Sequence, residues 1–120
     1  MAVIFGFAAL DLFYTTRHYT KAHDNLVVLS QSVEDNKDNL INPDTIYLAH
    51  KANDEWESGK TILMMLVNHN IIRSVDERFV SVLAQIESDN YIDATVTVKA
   101  LISYIKDLRE ENYPLLRNIL

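Results

Sequence analysis

A chain of 120 residues is the size of one domain and can bury a core of its own. Its net charge of −6, with 11 basic residues scattered along the chain, disfavours nucleic-acid binding, which needs clustered Lys and Arg against the phosphates. The absence of cysteine excludes a disulfide framework, thiolate metal ligands and a thiol nucleophile, and only two glycines and two prolines favour long helices over a turn-rich β fold.

The first element is apolar from Ala2 to Leu10 and stops at Asp11. As a helix it spans roughly 14 Å at ~1.5 Å per residue, whereas a bilayer core is about 30 Å thick. It is too short to cross, and no basic residues precede it as they do in a secretory signal. It reads as a buried helix end, or as the second half of an anchor whose first half lies outside this chain. The implied division is an apolar segment, a partial membrane anchor, over 1–14 and a helical bundle domain over 15–120. Asp11 at mid-bilayer would cost roughly 2.5–3.5 kcal/mol, so an interfacial depth fits better, with Tyr14 at the boundary. Arg17 and Lys21 just beyond it favour a cytoplasmic domain by the positive-inside rule, although charges upstream of the run could reverse that.

The apolar run continues without Gly or Pro into a heptad stripe of Leu12, Tyr19, Leu26, Val33 and Leu40, with Thr15, Ala22 and Leu29 three places after the first three. One long helix from near residue 3 to about residue 40 is predicted, ended by Asn42-Pro43-Asp44. Asn42 is a good N-cap and Pro43 suits the first position of the next helix, whose N–H has no intrahelical partner. The second helix places Ala49, Ala52, Trp56, Gly59, Leu63 and Leu66 on one face, and the all-round apolar stretch from Ile62 to Val67 predicts its more buried end. Asn68-His69-Asn70 reads as a short turn. The third helix carries Ile72, Val75, Phe79, Val82 and Ile86, with Ser74 and Glu77 at capping-box spacing or Asn70 as an earlier cap. Ser88-Asp89-Asn90 ends it. The fourth carries Tyr91, Ala94, Val98, Leu101, Ile105 and Leu108, and is predicted to stop before Pro114. The alternation Thr95-Val96-Thr97-Val98 is strand-like, but its flanks are helical. Short connections force neighbours antiparallel. The predicted fold is all-α: an antiparallel up-down bundle of about four helices with a long N-terminal helix, or three helices with the first projecting.

The four histidines do not form a recognisable metal set. No Glu stands three residues before a His, and His18 and His23 are five apart, on different helix faces. His50 beside Lys51 could be a phosphotransfer histidine, but Asp54, Glu55 and Glu57 would repel a phosphoryl group. Trp56 within Asp54-Glu55-Trp56-Glu57 is either an acid-ringed anchor for a partner or a core residue; its place on the Ala49, Ala52 and Leu63 stripe favours the core. His69 in its polar triplet reads as a capping residue, with pH sensing the lesser reading. No catalytic constellation, Gly-rich phosphate loop or small-molecule site is visible, so an enzyme is the minority reading and no cofactor is implied.

From Trp56 onward the pattern resembles a bacterial family catalogued as domain of unknown function 4363. Trp56, Lys60 and Leu63 carry the resemblance, followed by Asn68-His69 and Ile72, then Leu83, Ile86 and Asp89. Ala94, Leu101, Ile105 and the terminal Asn118-Ile119-Leu120 complete it. The resemblance implies an N-terminal membrane anchor followed by a helical domain, and assigns no activity. It marks Trp56, Lys60, Asn68, His69, Asp89 and Asn118 as signature positions, more structural than functional in character.

Three expectations follow. The first is a membrane-tethered, non-enzymatic helical domain, single-pass at the cell membrane, that acts through a protein partner. The second is a soluble, cytoplasmic homo-oligomer paired through Leu12, Tyr19, Leu26 and Val33. A metal- or phosphoryl-handling bundle is the remote third.

Overall fold

The computed structural model describes the backbone of residues 2–66 and 68–119, and side-chain surroundings for 13–61, 63–64 and 68–111. Four α-helices follow one another: α1 (Ala2–Asp35), α2 (Pro43–Leu66), α3 (His69–Glu87) and α4 (Tyr91–Ile119). α1 packs on α2 and α4, and α3 packs on the same two, so the helices stand in a square in chain order. Short links between successive helices make each antiparallel to the one before, giving an up-down-up-down bundle. The molecule measures 57 × 22 × 21 Å, and α1, about 51 Å long at ~1.5 Å per residue, nearly sets the long axis. The expected division at residue 14 falls inside this one helix.

The apolar stripes meet along the bundle axis. From α1 the core takes Tyr19, Ala22, Leu26, Leu29 and Val33; from α2, Ala49, Ala52, Trp56 and Leu63. Ile72, Val75, Phe79, Val82 and Ile86 enter from α3, and Ala94, Val98, Leu101, Ile105 and Leu108 from α4. The Thr95–Val98 alternation is helical because Ala94, Val98 and Leu101 fit the core only at helical spacing.

Several expectations need correcting. α1 ends at Asp35, not near residue 40: the polar run Asn36 to Asn39 turns back, with the Asn36 side chain donating to the Ser32 carbonyl at 2.8 Å. Leu40 still reaches the core, from the connection instead of from the helix. α3 begins at His69, capped by Asn68, whose side chain accepts from the Asn70 N–H at 2.8 Å, so neither Asn70 nor Ser74 is the cap. α4 runs through Pro114 to Ile119. A proline removes one N–H bond, here to Glu110, and crowds that carbonyl, a local penalty that the rest of a long helix outlasts. Of the stretch Ile62 to Val67 only Leu63 and Met64 have described side chains, the first buried and the second 42% exposed on the outer face of α2. Ile62, Met65, Leu66 and Val67 lie outside the described side chains.

Asn42 caps α2 as predicted, its Oδ1 accepting from the Thr45 N–H at 2.9 Å. Its amide also donates to the Thr45 hydroxyl, which meets the Ser32 hydroxyl at 2.8 Å and so pins the end of α1 to the start of α2. Among the described residues, no helix is long and apolar enough to cross a membrane.

Candidate functional site

Of the positions singled out in the sequence, Trp56 and Lys60 belong to one polar network, and Asn68, His69 and Asp89 to the bundle's turns. Trp56 is fully buried, stacked between Tyr19 at 6.5 Å and Phe79 at 6.0 Å between ring centroids. A buried indole N–H needs an acceptor, since an unmade bond there costs about 1–3 kcal/mol. Trp56 Nε1 donates to Asp76 Oδ1 on α3 at 2.8 Å. The other carboxylate oxygen of Asp76 accepts from Lys60 Nζ at 3.0 Å, and Lys60 also pairs with Glu57 at 3.0 Å. These bonds hold the Lys60 pKa above its ordinary value, Asp76 contributing first and Glu57 second, against the smaller opposing effect of burial. Trp56 and Lys60, one turn apart on α2, thus share one carboxylate that gave no signal in the sequence.

Asn68 and His69 serve the α2–α3 turn. His69 Nε2 sits 2.9 Å from the Met64 carbonyl, a donor closing an orphan acceptor in the last turn of α2. Asp89 sits in the left-handed region at φ 55, and its Oδ1 accepts from the Leu40 N–H at 2.8 Å. It therefore ends α3 and fastens the distant α1–α2 connection at once. Asn118 lies outside the described side chains.

The Tyr19, Leu26 and Val33 stripe is covered by the chain's own helices, at 2% exposure or less, so it is not available for pairing with a second copy in this fold. Leu12 lies outside the described side chains. Burial, reinforced by Tyr104 and Glu111, pushes the Tyr19 hydroxyl pKa up to about 12.

A second feature adjoins Trp56 from α1. His18 is 8% exposed, meets the Trp56 ring at 5.0 Å between centroids with the planes tilted by 31°, and lies against Gly59. A Cβ at Gly59 would overlap the imidazole, with Nε2 only 2.9 Å away. Gly59 is the gap that lets α1 bring a ring this close. Nε2 of His18 is buried with no hydrogen-bond partner among the described residues. Burial lowers the His18 pKa; the Trp56 backbone works against this, and the charge of Lys21 adds to it.

His18 and Gly59 form the floor of a half-open cavity of about 280 Å³ between α1 and α2. Phe13 and Tyr14 stand at one end and Arg17 and Lys21 along the α1 edge, with Ser58 and Glu55 opposite. Glu55 accepts from the Asn25 amide, and Ser58 donates to the Glu55 backbone carbonyl. Among the described residues neither Arg17 nor Lys21 makes an ion pair. The sequence offered one signal for this place, a lone glycine on the buried face of α2.

The other candidates stay apart. His50, on the outside of the bundle, faces Glu87 at 3.9 Å, an acidic neighbour that disfavours an incoming phosphoryl group. His23 meets the adjacent Asp24 at 3.3 Å. No group of three or more His, Asp or Glu side chains is placed to hold a metal among the described residues. No family model, curated protein or solved structure matches this chain.

Proposed function

We propose that this protein is a non-enzymatic, membrane-tethered helical domain of the cell envelope that acts by binding a protein partner. The observation that carries the reading is the unbroken α1, which places the apolar run Ala2–Leu10 in one rod with the helix that lines the bundle core. A rigid helix shared by tether and domain holds the bundle at a set distance and orientation from a surface. Tyr14, Arg17 and Lys21 follow the run as aromatic and basic residues do at a membrane boundary. The partner reading draws support from Ile92 and Val96, one turn apart on α4 and 73% and 64% exposed.

Fractionation of cells producing the protein from its own gene tests the tether. Recovery in the membrane pellet after alkaline carbonate washing, with release by detergent, is the expected result. Recovery in the soluble fraction overturns it.

A further inference from the structure

We propose that the cavity between α1 and α2 is a binding site for a small organic monocarboxylate with an apolar body. This site does not require the tether, although Tyr14, Arg17 and Lys21 line it and also follow the apolar run. Charge is the first indication: the chain carries −6 overall, yet among the described residues this opening presents Arg17 and Lys21 against one carboxylate, that of Glu55. Two cations and one anion leave one positive charge, which a monoanion neutralises and a phosphate dianion overshoots. Glu55 is already engaged by Asn25, and the two cations stand one turn apart on α1, on the same edge of the opening. In an acidic molecule, a positive concavity draws anions away from the surrounding surface.

The walls define the rest of the ligand. Phe13 and Tyr14 supply aromatic surface beside the cations, and the His18 imidazole supplies a flat floor. Gly59 matters twice, because its missing side chain both admits the imidazole and leaves the opening above it clear. The volume of about 280 Å³ is small for a ligand site, which suits a short acyl or single-ring acid. His18 adds a buried ring nitrogen, Nε2, with no hydrogen-bond partner among the described residues, a polar atom left unsatisfied beneath the opening.

Titration of the full chain with hexanoate, followed by NMR, tests the assignment, with hexylamine and inorganic phosphate as comparison probes. Saturable shifts at Tyr14, Arg17, His18 and Lys21 with hexanoate, none with hexylamine and weaker ones with phosphate, are expected. The R17Q/K21Q double variant changes only exposed side chains and should bind about tenfold more weakly or worse, the loss of charge-assisted hydrogen bonds, with its melting temperature unchanged. Ser58→Leu fills the opening from the α2 side without entering the core, and should abolish the shifts; it stands in should the double variant melt early. Absence of saturable shifts at these residues, shifts confined to Ala2–Leu10, an equal response to phosphate or hexylamine, or undiminished binding by a folded variant each overturns the proposal.

Discussion

At the scale of single residues, the most constrained place is the contact of His18 with Gly59. In an ordinary helix, replacing Gly by Ala stabilises by about 1 kcal/mol through propensity. Here the new methyl group would displace the imidazole, and such overpacking costs about 1–3 kcal/mol. Gly59→Ala should therefore lower stability in urea melts, whereas in a His18→Ala background the same change should raise it. The same sign in both backgrounds would mean that His18 does not set the identity of residue 59. A pH effect follows from the same ring. Because the folded His18 pKa lies below its ordinary 6.5, the unfolded chain takes up the proton first as pH falls. His18 therefore leaves stability intact above about pH 6.5 and subtracts from it as pH drops toward the folded-state pKa, where the loss levels off. The melting temperature should fall across that window, and His18→Phe, which keeps a ring beside Trp56 without a proton to bind, should flatten the slope.

At the scale of elements, the helices are legible from periodicity and the turns depend on a few polar side chains. Asp89 does two things that different substitutions separate. Asp89→Asn keeps an acceptor for the Leu40 N–H and tolerates a positive φ, so its effect should be small. Asp89→Gly fits the backbone but leaves that N–H without its acceptor, a loss of about 1–3 kcal/mol. Asp89→Ala should cost more than the Gly variant, because it adds strain at a left-handed position. Denaturant unfolding of the three variants checks the order, and Ala equal to Gly would remove the strain component. The Pro114 expectation failed at this scale for a physical reason: a proline penalises one turn, while a 29-residue helix is held by all of its turns.

At the scale of the whole molecule, each helix buries one stripe against two neighbours, so the four stripes satisfy one another within a single chain. Tyr19, Leu26 and Val33 belong to that closed core, which removes them from the surface a second copy could meet. Sedimentation of a version starting at Thr15 should therefore give one copy. A dimer that persists without residues 1–14 would require the bundle to open or to use another face.

The sequence by itself determined the four helices, their order and nearly all of their core positions. Those follow from a 3.6-residue period and from caps such as Asn42, both of which are local properties of the chain. It also singled out Trp56, Lys60, Asn68, His69 and Asp89, without saying what each would touch. Only the tertiary structure decided that Trp56 and Lys60 share Asp76, that Asp89 holds the Leu40 N–H, and that His18 settles against Gly59 beneath an open, positively edged cavity. These pairings depend on the axial register and rotation of one helix against another. A period repeated along each helix is nearly the same in every register, and it takes the packing of all four side by side to choose one.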